Sequence, residues 1–344
     1  MNNDSQGITL HLTFPPKTNG TAEPPLQTYF INLAGQVSRR EILQQNFSQF
    51  APPGYLLTRV EAVDSQEVIA NQVPGGIKEV EKACYLSHCK ALELACLTES
   101  HAYILEDDAH FGPSSFDLMN RAIQHLQEKG YRWDILYTQV MPVSPQQMVE
   151  VLRLRHECLR IGGFCVPSTQ RMLLAGACSY VVNASTKHRL LALLKAQTPL
   201  ETPVDAYYWG LARHGQIQAK TIFPLPSSVA AQAVTSQIQS PNKALASLLW
   251  NAWMRLSAID RHLDEIEASL ANLPLSDNPL QVPEQVHQWL EPIRPMMDPQ
   301  ETRITEKILS TMCLPDFDSL FLLVPSSESS PSESEQACEI ILQP

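Results

Sequence analysis

Three consecutive carboxylates, Glu106-Asp107-Asp108, stand directly behind the apolar run Ala102-Tyr103-Ile104-Leu105. Adjacent carboxylates repel one another unless water solvates them or a cation neutralises them. A bare acidic triplet is most simply a solvated turn. The apolar run changes that reading, because it makes the triplet the end of a buried strand. Open α/β sheets bind ligands just beyond the carboxyl ends of their strands. Alternate residues of an extended segment point the same way, so Glu106 and Asp108 can address one site while Asp107 faces elsewhere. A hard divalent cation with oxygen ligands suits such a site. It would bridge a diphosphate and stabilise it as a leaving group.

The elements that must position these groups alternate along the chain. Strands are expected at 28–33, 57–63, 102–105, 133–137 and 177–182, with helices at 38–50, 80–98, 116–129 and from 183 through 194. Strand and helix in turn imply an α/β domain with a mixed, largely parallel sheet. From Ser240 the pattern becomes helical, with Leu245, Leu248, Leu249, Ala252, Trp253, Leu256 and Ile259 at helical spacing. The expected organisation is a flexible lead (1–26), a catalytic domain (27–239), a C-terminal helical appendage (240–315) and a largely disordered Ser/Glu/Pro-rich tail (316–344). An apolar patch at Ile340, Ile341 and Leu342 interrupts that tail.

Composition narrows the function. A net charge of −11 argues against a nucleic-acid partner, which needs a positive field. The eight cysteines form no CxxC pair, and several lie in apolar runs where a thiol behaves as a small hydrophobe. A reducing compartment fits them. The start Met-Asn-Asn-Asp carries no signal-peptide pattern. No stretch reaches the roughly 18–20 apolar residues of a spanning helix. A cytoplasmic protein is expected.

The triplet has company in a fixed order. The chain runs Ile31-Asn32-Leu33 with Arg39 and Arg40, Ala62-Val63-Asp64, Cys84 with Ser87-His88, Leu105-Glu106-Asp107-Asp108, Gly176 with Tyr180, and Pro203-Val204-Asp205. This order resembles glycosyltransferase family 25, over roughly residues 27–240. The chain departs from the family pattern at Lys82 and Ala83, and at Ser65 where glycine is common. The resemblance implies a GT-A-type fold and an inverting transfer of a hexose, galactose or glucose, from a UDP-sugar donor. The acceptor would be a saccharide or glycolipid hydroxyl, in lipopolysaccharide synthesis at the inner face of a membrane. Mn²⁺ or Mg²⁺ would sit on Glu106 and Asp108.

Other residues have two readings each. Asp205 precedes Ala206-Tyr207-Tyr208-Trp209, and a carboxylate in aromatic surroundings can be tuned to take a proton. It is the candidate base for the acceptor hydroxyl, or a helix cap. Tyr207, Tyr208 and Trp209 offer a stacking face for a sugar, or core packing. Ser87 and His88 are neighbours on a helix and point about 100° apart, so they form no nucleophile–base pair. Donor contact and structural roles stay open for both. Arg39 can pair with phosphate. Asn32, Asp64 and Asp107 are candidate donor contacts, and His110 and His214 candidate third metal ligands. The 240–270 segment carries Trp250 and Trp253, which suit a membrane surface or internal packing. Its polar face mixes Arg255, Arg261 and His262 with Asp260, Asp264, Glu265 and Glu267, which favours packing. A non-catalytic glycan- or protein-binding module on the same fold, and a metal-dependent phosphohydrolase, are the competing functions.

Overall fold

The computed structural model describes residues 10–13, 26–172, 174–231, 244–271, 282–314 and 338–342. Its centre is a six-stranded sheet in the order Ala219–Thr221, Ile135–Tyr137, Ser179–Val182, Ala102–Glu106, Gln27–Asn32, Leu56–Glu61. Ser179–Val182 runs antiparallel to both of its neighbours. The other pairings are parallel. The expected mixed, largely parallel sheet is therefore present.

Alternation along the strands divides the core in two. Ala102 and Ile104 join one apolar cluster with Tyr29, Ile31 and residues of the helix Glu79–Ala95. Tyr103 and Leu105 join the other with Phe30, Leu43, Phe47 and residues of the helix Ser115–Glu128. A strand covered by helices on both faces needs apolar side chains at every position, which explains the unbroken run before the acidic triplet.

Segments left unassigned by sequence patterning prove to be regular. The helix Pro145–Arg160 starts at Ser144, whose side chain accepts from the Gln147 N–H, with proline at the first helical position. A short helix, Ser65–Ala70, follows Asp64. The run expected over 240–270 is two helices, Ala244–Ser257 and Leu263–Leu270. Between them Ala258 bridges to Leu225, and the Ile259 N–H donates to the Leu225 carbonyl.

Trp250 and Trp253 are buried in the same apolar cluster as the sheet residues Ile104 and Tyr180. The helical appendage thus turns both indoles inward. Polar ties cross the same contact. Arg155 Nε donates to the Ala258 carbonyl, while Arg261 and His156 both contact Glu301. Within the expected lead and tail, the strands Leu10–Thr13 and Cys338–Leu342 pair in parallel, and the second also pairs antiparallel with Gly163–Cys165. The rest of the lead up to 25, and of the tail from 316, lies outside the described residues. Among the described residues no helix is long and apolar enough to cross a membrane.

Candidate active site

The parallel strands deliver Asn32 and Glu106 to one edge of the sheet. Cys178 precedes the antiparallel strand, so it arrives at the same edge, and its carbonyl accepts from the Glu106 N–H at 2.7 Å. Asp107 and Asp108 form the turn into the strand Ala109–Phe111. That turn is held from behind. The Ala230 N–H donates to the Asp108 carbonyl at 2.8 Å, and Asn251 Nδ2 of the appendage donates to the Ala230 carbonyl at 3.2 Å.

Arg39 closes the turn from the first turn of the helix Val37–Phe50. One guanidinium nitrogen lies 2.9 Å from Asp107 Oδ1 and 2.9 Å from Asp108 Oδ2. A cation at a helix N-terminus opposes the helix dipole; here the facing carboxylates hold it. Asn32 Nδ2 donates to Asp107 Oδ2 at 2.8 Å and to the Gln36 carbonyl, while its Oδ1 accepts from Arg59. Cys178 Sγ donates to Asp108 Oδ1 at 2.9 Å. His88 Nε2 stands 3.4 Å from Glu106 Oε1, and its Nδ1 lies 2.9 Å from the Tyr180 hydroxyl.

The electrostatics match this crowding. Burial, reinforced by Glu106, pushes Asp108 up to about 6 against the pull of Arg39. Burial also raises Asp107, although Arg39 and Asn32 oppose it. Burial works against the charged form of Glu106 too, but the hydrogen bond and charge of His88, with Arg39, bring it below the ordinary carboxylate range. Burial disfavours the Arg39 cation, yet Asp108, Asp107 and Glu106 together raise it. The turn is a partly desolvated cluster of negative charge with Arg39 across it.

Donor atoms of Glu106, Asp108 and Cys178 all lie within 4.8 Å of one another. Asp107 is outside that group and faces Arg39 and Asn32; Arg39 also holds Asp108, and because both aspartates lie in the turn beyond the strand end at Glu106, the turn and not strand alternation sets where they point. A second group, Cys84, His88 and Glu106, meets the same distance. Among the described residues neither His110 nor His214 joins such a cluster. Sequence patterning alone reads several of the thiols as small hydrophobes. The visible signal was the four-residue spacing of Cys84 and His88 on a helix; nothing local pointed to Cys178, which only the sheet brings in.

The remaining candidates have defined partners. Asp64 caps the helix Ser65–Ala70 in a capping box with Glu67. The Ser87 hydroxyl accepts from the Val63 N–H and donates to the Ala83 carbonyl, pinning the 62–64 loop to its helix. Asp205 lies in the first turn of the helix Val204–Arg213, two residues past the cap at Pro203. Its oxygens accept from the Gly176 and Ala206 N–H groups, and it lines a small cavity with Tyr137, Gly176 and Trp209. Tyr208 is fully buried and Tyr207 donates to the Leu193 carbonyl. Of the three aromatic residues, Trp209 is the one on that cavity.

The sequence model of glycosyltransferase family 25 (LPS biosynthesis protein) matches residues 26–208, just over half of the 344. The chain belongs to glycosyltransferase family 25. No curated protein matches it. Membership makes the chain a glycosyltransferase related to lipopolysaccharide synthesis, working between a sugar donor and a saccharide acceptor. The family match spans every site residue from Asn32 to Asp205. The helices that brace the site from behind, Ala244–Ser257 onward, lie beyond it.

Proposed function

We propose that this family 25 glycosyltransferase moves a hexose, galactose or glucose, from a UDP-sugar to a saccharide hydroxyl of a surface glycolipid, with inversion at the anomeric carbon, on a GT-A-type fold. One observation carries the reading. Glu106 and Asp108 converge within 4.8 Å at the carboxyl edge of the parallel strands, in a pocket of negative charge faced by Arg39. Two oxygen donors and an excess of negative charge fit a divalent cation, Mn²⁺ or Mg²⁺. When bound there, it supplies the charge that lets a nucleoside diphosphate leave.

The chain's own groups account for the rest. Arg39 orders Asp107 and Asp108 and places a cation beside the leaving diphosphate. Asn32 fixes the Asp107 carboxylate. Each Asp205 oxygen accepts one backbone N–H and keeps a lone pair. Facing a cavity with Trp209, it takes the proton of the acceptor hydroxyl as that oxygen attacks the anomeric carbon.

The deciding experiment offers the protein a panel of UDP-sugars with Mn²⁺ or Mg²⁺. UDP release is read with and without candidate acceptor glycans. The expected result is metal-dependent release that rises with one acceptor class. Asp108→Ala is expected to abolish it with the circular dichroism spectrum unchanged. Full transfer by that variant removes the metal assignment.

A further inference from the structure

The second donor group shares Glu106 with the first and, beside a thiol of its own, has a histidine where the first has an aspartate. Cys84 and His88 lie four residues apart on the helix Glu79–Ala95, a spacing that puts both side chains on one face. Glu106 meets them from the strand end, and the three donor atoms lie within 4.8 Å of one another. We propose that Cys84, His88 and Glu106 form a zinc site, distinct from the oxygen-rich position at Glu106 and Asp108.

Three features of the geometry support it. The first is the 3.4 Å between His88 Nε2 and Glu106 Oε1. That is a long hydrogen bond. Two light-atom ligands of one tetrahedral Zn²⁺, with bonds of about 2.1 Å, stand about 3.4 Å apart. The second is the outer shell. His88 is fully buried, and its Nδ1 lies 2.9 Å from the Tyr180 hydroxyl, itself 3.2 Å from that of Tyr208. For zinc to bind, Nδ1 donates to Tyr180 and Nε2 gives up its hydrogen bond to Glu106 to face the ion; ligating histidines are oriented in this way. The third is the donor set. Thiolate, imidazole and carboxylate suit Zn²⁺ and not Mg²⁺. On binding, the Cys84 thiol proton passes to solvent, and thiolate plus carboxylate balance the ion's charge. Three protein ligands leave a fourth position open. Glu106 belongs to both groups, so zinc here withdraws a ligand from the acidic turn. That consequence, inhibition by zinc, rests on the transferase reading; the site itself does not.

The test uses the full-length protein after treatment with a chelator. Co²⁺ serves as a spectroscopic probe, and Zn²⁺ is titrated by calorimetry without any sugar present, so the outcome is independent of transfer. The wild type is expected to show thiolate-to-cobalt charge-transfer absorption. Cys84→Ser is expected to lose it and Cys178→Ser to keep it. Cys84→Ser and His88→Gln are each expected to weaken zinc binding by about tenfold or more, and Tyr180→Phe by about tenfold. If Cys84→Ser does not fold, zinc protection of Cys84 from alkylation in the wild type, mapped by mass spectrometry, gives the same answer. Absence of the band and of protection, or a band that follows Cys178, overturns the proposal.

Discussion

Asp260 accepts two hydrogen bonds from Ser114, from its N–H to Oδ2 at 2.7 Å and from its hydroxyl to Oδ1 at 2.9 Å. Ser114 precedes the helix Ser115–Glu128, so a carboxylate 146 residues away supplies its N-terminal acceptor. Such a group satisfies an orphan donor and complements the helix dipole. Gly112 permits the approach, since a Cβ there would sit 2.4 Å from the Asp260 Cβ. Asp260→Ala is expected to lower stability by about 1–2 kcal/mol, with Asp260→Asn milder. Gly112→Ala should also lower the thermal midpoint; an unchanged midpoint would show that the contact carries no weight.

Arg39 is expected to matter for both stability and transfer. Arg39→Met leaves Asp107 and Asp108 without the cation they share. Transfer, measured as UDP release, should fall at least about tenfold, the scale of 1.4 kcal/mol in a barrier. The stability deficit has a definite sign. Asp108 is raised from 3.8 to about 6, so its ionisation costs the folded state stability as pH rises from about 3.8, and the cost is complete above about 6. Losing Arg39 raises it further. The part of the deficit that Asp108 carries should therefore be largest at alkaline pH and shrink as pH falls toward about 6. A deficit that grows on acidification would contradict this arrangement.

Glu301 titrates with the opposite sign. Its side chain is 1% exposed and is met by Arg261 and His156. Burial alone would raise it, but those two partners lower it from 4.5 to about 2. The unfolded chain takes up the proton near 4.5 and the folded chain only near 2. The stability this pair contributes is complete above about 4.5 and is lost as pH falls toward 2. Glu301→Gln is expected to cost about 3 kcal/mol at neutral pH, as removal of one partner from a buried pair does. Denaturation curves across pH should show the two proteins converging in acid.

Trp253 tests the union of appendage and sheet. It is fully buried in the cluster that includes Ile104 and Tyr180, and its indole N–H has no hydrogen-bond partner among the described residues. Trp253→Ala is expected to cost about 3–5 kcal/mol. Trp253→Phe should be much milder, because it removes an unsatisfied buried donor along with the volume. Unfolding followed by tryptophan fluorescence and by circular dichroism should coincide; separate transitions would show that the helices fold apart from the sheet.

Much of this was legible in the residues themselves. The unbroken apolar run before Glu106 is what a strand buried on both faces requires, so the sheet and its acidic edge could be read directly. Local periodicity finds the helices expected from 80 and from 116, whereas alternation along an extended segment does not reach Asp107 and Asp108, which form a turn beyond the strand end at Glu106. Other features depend on contacts between distant segments. Arg39 meets Asp107 and Asp108 only because two strands lie side by side. Cys178 reaches Asp108 because its strand runs antiparallel and begins at the edge where its neighbours end. Trp250 and Trp253 have the same helical spacing whether they face a membrane or a core, and only packing against the sheet decided for the core. Backbone geometry repeats over a few residues and leaves its period in the sequence; charge pairing and burial depend on which elements become neighbours, and no local pattern records that.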